Sequence, residues 1–192
     1  DWQRAFPTVF AQGGFDAVIG NPPYVRQEML GEDKIYFKNH YDVFNNMADL
    51  YSYFFEKGMR ILKQGGIFSI IVANKWMRAN YGKPLKKWMK EFNIEEIIDF
   101  DDLPVFKNAT TYPCIIKIMN TANNHKTRLV QMNSLAFIGL KRYVLENGYE
   151  VDISLFDNEF WTIKSQGTQL LLRKLFNENN PLSDFVGGEI FF

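Results

Sequence analysis

Short apolar runs closed by a glycine or polar residue alternate along the chain with stretches whose apolar residues recur three or four apart. Phe15-Asp16-Ala17-Val18-Ile19-Gly20 is the first such run and predicts a buried strand over 15–20. Residues 67–73 (Ile, Phe, Ser, Ile, Ile, Val, Ala) predict a second strand, apolar enough to be buried on both faces. Third and fourth strands are predicted over 94–100 and 112–119. Between the first two, Leu50, Phe54, Gly58 and Ile61 recur at the helical period, flanked by Tyr51, Phe55 and Leu62. They predict a helix over 48–62 with a wide apolar stripe against a sheet, ended by Gly65-Gly66. A further helix is expected from Lys83 to Phe92, with Pro84 tolerated in its first turn. The order strand–helix–strand–helix–strand gives an α/β fold with a parallel sheet and right-handed crossovers. A short loop joins the last two of these strands, so they are expected to pair antiparallel.

The remaining segments carry weaker patterns. Residues 1–14 read as a connection. Residues 21–46 are polar, aromatic and aperiodic, and read as a long loop with room for one helical turn; loops of that length are usually functional. A strand is expected over 127–132 and a short helix over 139–147. Residues 165–177 suggest a helix carrying Leu170, Leu171, Leu172, Leu175 and Phe176, and residues 186–192 begin a new strand. There is no internal repeat or low-complexity tract.

Composition narrows the picture. A chain of 192 residues, 46% hydrophobic, holds one sizeable domain, or one domain and the start of another. Its net charge is zero, so any nucleic-acid contact must come from a local patch. Cys114 is the single cysteine and sits in an apolar run, which fits a reducing cytoplasm. His40 and His125 are far apart and no Cys/His cluster accompanies them, so no metal site is expected. Apolar runs are strand-length and nothing reads as a signal peptide, so a cytoplasmic protein without a membrane span is expected. Asn108-Ala109-Thr110 matches a glycosylation acceptor only by chance in that setting.

The candidate chemistry lies in Asn21-Pro22-Pro23-Tyr24, directly after the first strand. In open α/β sheets ligands bind outside the carboxyl ends of the strands. Two prolines fix φ twice and remove two backbone donors. What remains is a stiff loop offering an Asn side chain, backbone carbonyls and an aromatic face. Those groups suit a planar ring with an exocyclic amine. Such an amine is a poor nucleophile because its lone pair is delocalised. Acceptance of its two hydrogens by the Asn21 oxygen and the Pro22 carbonyl localises that lone pair, and Tyr24 stacks on the ring. Preorganised polar groups of this kind are usually the largest catalytic contribution. The plainer reading is a rigid turn, since Asn-Pro and Pro-Pro mark turns. The preceding strand, with its Asp and terminal Gly, favours the functional one.

Residues Asp16 through Tyr24 resemble the catalytic motif of S-adenosylmethionine-dependent amino-methyltransferases. The wider chain resembles the gamma-class DNA adenine-N6 methyltransferases of type IIG restriction–modification enzymes, the TaqI-like group. The matching blocks are Leu50-Tyr51-Ser52-Tyr53-Phe54-Phe55-Glu56-Lys57, Leu62-Lys63-Gln64-Gly65-Gly66, residues 74–82 beginning Asn74-Lys75-Trp76, and Val105-Phe106-Lys107-Asn108-Ala109-Thr110-Thr111. The resemblance implies the C-terminal half of a Rossmann-like methyltransferase sheet, its last strand antiparallel, over residues 1–164. It implies the start of a DNA target-recognition domain over 165–192. The family's first strands and glycine-rich turn have no counterpart before Asn21, so this piece is expected to be inactive alone. Its first strand is then expected to be an exposed edge that favours self-association.

The implied partners are S-adenosylmethionine, edged by Asn21 and Pro22, and double-stranded DNA. Asn21, Pro22, Pro23 and Tyr24 are the implied catalytic residues. Phe106 is implied to stack on a flipped-out adenine opposite Tyr24. Lys75, Arg78 and Lys83 are candidates for DNA phosphates, within a run of residues 75–90 that has six basic residues and no acid. Lys83, Lys86, Lys87 and Lys90 share one helical face, for which a solvated surface is an equal reading. Asp99, Asp101 and Asp102 lack the company a nuclease needs. Two other functions stay open: methylation of an amine on RNA or on a protein glutamine, and a non-catalytic DNA-binding remnant.

Overall fold

A computed structural model describes residues 1–106, 111–156, 161, 163 and 168. The chain divides into two compact units, Asp1–Thr162 and Ile163–Phe192, and the elements below belong to the first. The helix read over 165–177, the strand read from 186 and the recognition-domain start at 165–192 lie outside the described residues.

Six strands form one mixed sheet: β1 (Phe15–Gly20), β2 (Leu62–Ala73), β3 (Phe92–Asp99), β4 (Pro113–Ala122), β5 (Lys126–Gln131) and β6 (Tyr149–Asp152). Their order is β1-β2-β4-β3-β5-β6. β1 runs parallel to β2 and β3 parallel to β5, while β4 is antiparallel to both β2 and β3, and β6 to β5. β1, β2, β3 and β5 therefore point one way, with the reversed β4 inserted between β2 and β3. The antiparallel β3–β4 pair is as the sequence predicts. The insertion of β4 and the extra strand β6 make the sheet mixed rather than simply parallel. Among the described residues β1 pairs with β2 alone, and Ile19 near its end is 83% exposed.

One face of the sheet is buried. Phe68, Ile70 and Val72 of β2 sit across from Ile118, Ile116 and Cys114 of β4, and these from Ile94, Ile97 and Asp99 of β3. Helices α4 (Tyr51–Arg60) and α5 (Lys83–Met89) cover this face. On the other face Ile67, Ser69 and Ile71 are only half-buried, so β2 is covered on one side and not on both as its composition suggests. At the carboxyl end of that second face, Ile98, Phe100, Val130 and Met132 pack with Val144 of α6 (Leu140–Asn147). Toward the amino end it is charged, with Lys117 paired to Glu95 at 2.7 Å and Arg128 to Glu150 at 3.6 Å.

Three local readings are corrected. Helix α4 packs through Tyr51, Phe55, Gly58 and Met59, whereas Phe54, assigned to the stripe, is 40% exposed. The turn in register arises because aromatic residues ring the helix and periodicity alone does not choose among them. Gly58 is the point of closest approach: a Cβ there would lie 2.3 Å from Cε2 of Phe68. Gly65-Gly66 does not end the helix, which stops at Ile61. It forms a bulge inside β2, with Gly65 at φ +77° and the β1 register shifting between Phe15–Leu62 and Ala17–Ile67. Finally, residues 1–14 contain α1 (Trp2–Ala5) and α2 (Pro7–Ala11), and the long loop contains α3 (Asp33–His40). α3 buries no residue; Phe37 stacks on Tyr53 with ring centroids 4.1 Å apart.

Candidate active site

Because β1, β2 and β3 point the same way, Asn21–Tyr24, Asn74–Arg78 and Asp99–Phe106 all emerge at one edge of the sheet. β4 enters at that edge, with Pro113 opposite Ala73 and Cys114 opposite both Val72 and Asp99. Sequence segments separated by dozens of residues thus share one rim.

Local bonds fix the Asn-Pro-Pro-Tyr loop. Pro22 is buried, while Asn21 and Pro23 are exposed. The Val25 amide donates to the Pro23 carbonyl at 3.0 Å, and the Leu50 amide donates to the Val25 carbonyl at 3.0 Å. The Gln27 amide donates to Oδ1 of Asp49 at 3.0 Å. The N-terminal end of α4 therefore straps the loop down through Asp49 and Leu50. Desolvation raises the Asp49 carboxyl above the usual carboxylate range, opposed by the bond from Gln27. Among the described residues, neither the Asn21 side chain nor the Pro22 carbonyl has a hydrogen-bond partner in the protein.

Tyr24 is 41% exposed, and its ring meets that of Phe106 at 6.1 Å between centroids with planes at 71°. The two aromatic residues named from sequence are therefore neighbours, across a chain separation of more than eighty residues. Edge-to-face contact leaves no slot between them, so one ring must turn for a planar group to enter. Desolvation, and then the neighbouring Cys114, push the Tyr24 phenol up. Behind them the Tyr51 and Tyr81 hydroxyls lie 3.1 Å apart, and burial raises both phenols.

Asn74 and Asp99 complete the rim. Asn74 Nδ2 donates to Asp99 Oδ1 at 2.8 Å in a buried position, and the Asp101 amide donates to the same oxygen at 3.1 Å. Asp99 is 1% exposed, and its desolvation raises the carboxyl against those two bonds. Asp101 sits at φ +49°, where the chain turns toward Phe106.

The basic residues separate into two groups. Lys75 and Arg78 are exposed at the rim, on and after a 3₁₀ turn anchored by fully buried Trp76. Lys83 is half-buried. The shared lysine face is not uniform: Lys86 is fully buried and donates to the Met77 carbonyl at 3.0 Å, and Lys90 donates to the Phe156 carbonyl. Of the four, Lys87 is the exposed residue. Sequence reasoning passed over Asn74, Asp49 and Arg26, which is exposed beside the loop. A polar residue closing an apolar run, as Asn74 closes β2, was the available signal.

Among the described residues no group of three or more His, Cys, Asp or Glu is placed to hold a metal, and no helix is long and apolar enough to cross a membrane.

The family described as Eco57I restriction-modification methylase matches residues 1–106. The chain belongs to that family.

Relatives of this methylase family extend the match. The type II restriction enzyme and methyltransferase RM.Eco57I of Escherichia coli is 26% identical over 180 residues, 90% of this chain and 18% of that protein. The type II methyltransferase M.BstVI of Geobacillus stearothermophilus is 30% identical over 191 residues, 90% of this chain and 34% of that protein. The chain thus spans about a third or less of the length of these two relatives. A solved structure described as a class I S-adenosylmethionine-dependent methyltransferase from Listeria monocytogenes superimposes with TM-score 0.54 at 19% identity, over 69% of this chain and 41% of that one. The six-stranded mixed sheet is accordingly of the S-adenosylmethionine-dependent methyltransferase type.

Proposed function

We propose that this chain is the target-base half of a site-specific DNA methyltransferase that carries a methyl group from S-adenosylmethionine to adenine N6. The observation that carries the reading is the convergence at one sheet edge of Asn21, Pro22 and Tyr24 with the ring of Phe106. Family membership and the names of the type II methyltransferase relatives support the same reaction class. Acceptor oxygens at Asn21 and Pro22, which have no hydrogen-bond partner among the described residues, fit the neighbourhood of a sulfonium cation. S-adenosylmethionine, when bound, supplies an electrophilic methyl group.

The chain's own residues do the rest. The Asn21 amide oxygen and the Pro22 carbonyl accept the two N6 hydrogens and draw the nitrogen toward tetrahedral geometry. Tyr24 and Phe106 hold the ring of an adenine rotated out of the duplex, once one of them turns. Pro22 and Pro23, with the strap from Asp49 and Leu50, keep the acceptors aimed without reorganisation during reaction. Lys75 and Arg78 reach phosphates and set the register of the duplex without reading its sequence; Lys83 adds a third, more recessed contact. The protein acts in the cytoplasm, where its DNA is.

The test is the chemical identity of the product. The full-length protein is incubated with methyl-labelled S-adenosylmethionine and duplex DNA, and the DNA is digested to nucleosides. The expected label is in N6-methyladenine. Label in N4-methylcytosine, in RNA or in protein, or none in DNA, contradicts the reading.

A further inference from the structure

Asn74 holds both limbs of the loop that carries Phe106. Its side chain donates to Asp99 Oδ1 at 2.8 Å, where the loop leaves β3. Its backbone amide donates to the Tyr112 carbonyl at 2.7 Å, where the chain enters β4. Asp99 in turn receives the Asp101 amide at 3.1 Å, and its own carbonyl accepts from Met132 at 2.8 Å. Between these anchors the Leu103 amide donates to Phe100 at 3.0 Å and the Val105 amide to Leu103 at 2.8 Å, a tight path ending at Phe106. Asn74 itself closes β2, the direct neighbour of β1, whose own end carries Tyr24.

We infer that the buried Asn74–Asp99 pair is a latch that positions Phe106 against Tyr24, so that Asn74 and Asp99 are positioning residues for the acceptor base. The role rests on the methyltransferase reading for its consequence in catalysis, though not for its consequence in loop order. Three features point to it. Both groups are buried at the rim, where a polar pair costs free energy unless fully bonded. One carboxylate oxygen serves two donors from different segments, so its loss frees the Asp101 turn from β2. And Asp101 lies in the left-handed region, which neighbouring bonds must hold in place. Neither Asn74 nor Asp99 needs to touch the substrate. They act through Phe106.

The experiment combines a rate and an exchange measurement on the full-length protein. Single-turnover methyl transfer is compared for wild type, Asn74→Ala, Phe106→Ala and the double variant. Asn74→Ala is expected to slow transfer roughly ten- to a hundredfold. In the Phe106→Ala background it is expected to slow transfer less than about twofold, because the residue it positions is gone. A full additional loss in the Phe106→Ala background overturns the latch. In parallel, Asn74→Ala is expected to speed amide exchange at Asp101, Leu103 and Val105 about tenfold, with exchange at Ile116 and Ile118 unchanged as proof of folding. Unchanged exchange at the three loop amides overturns the latch by itself. A wild-type protein that methylates no DNA contradicts the methyltransferase reading instead, and the exchange arm still decides the latch.

Discussion

Gly58→Ala probes how α4 is seated, and α4 is what straps the Asn-Pro-Pro-Tyr loop. A Cβ at position 58 falls 2.3 Å from Cε2, 2.7 Å from Cδ2 and 3.2 Å from Cζ of Phe68. Carbon atoms rest at about 3.5 Å or more, so ring or helix must move by about 1.2 Å. Phe68 has little freedom: it is 2% exposed and packs on Phe55 at 5.7 Å. Forcing an extra methyl into such a core costs about 1–3 kcal/mol, while Ala in place of Gly within a helix returns about 1 kcal/mol. With both partners pinned, the high end of the cost applies, and the net loss is about 2 kcal/mol. For a protein of this size that lowers the melting temperature by about 4–8 °C. Denaturant titration and thermal melting measure it. In a Phe68→Leu background the clash is relieved and the Gly58→Ala penalty should vanish. A Gly58→Ala variant more stable than wild type by about 1 kcal/mol would refute the close seating, since only the propensity gain would then be visible.

The other expectations concern charge. Desolvation raises the folded Asp99 carboxyl above its unfolded value, so the native state binds the extra proton; the group's contribution is greatest below the unfolded pKa and falls as pH rises through the folded one. Melting curves from pH 4 upward should therefore show Asp99→Asn gaining on wild type as pH rises, and a trend of opposite sign refutes it. Arg60→Ala leaves the fully buried Glu56 carboxylate with only the Val43 amide at 3.0 Å among these contacts. Because Arg60 is half-exposed, the expected loss is about 2 kcal/mol rather than the larger cost of a wholly buried pair, read by denaturant titration. Lys86→Met should lower stability by about 1–3 kcal/mol without changing the salt dependence of DNA binding. Lys75→Ala should instead reduce that salt slope by about one.

Strands β1 to β4 were legible because each carries a compact apolar run, whereas β6, Tyr149-Glu150-Val151-Asp152, carries none; the strand-end loop was legible because two prolines between Asn21 and Tyr24 have few other uses. α3 was not legible, since a helix that buries nothing leaves no stripe to read. The packed face of α4 was read one residue off, because Phe54 and Phe55 are equivalent to a periodicity argument and only Phe68 distinguishes them. Gly65-Gly66 carries the same signal for a helix stop and a strand bulge. The burial of Lys86 depends on the Met77 carbonyl, a tertiary partner that no local pattern announces. The Asn74–Asp99 bond likewise joins the ends of β2 and β3, which the sheet order places on either side of β4 and which no local pattern relates.

The central claim is that Asn21 accepts the hydrogens of an adenine amine, and single-turnover transfer of a labelled methyl group by Asn21→Ala in the full-length protein tests it most directly. Binding of duplex DNA should persist, since phosphate contacts at Lys75 and Arg78 are untouched. The rate should fall by about 10²–10³, as for the loss of one preorganised polar partner. Transfer at the wild-type rate would contradict the account.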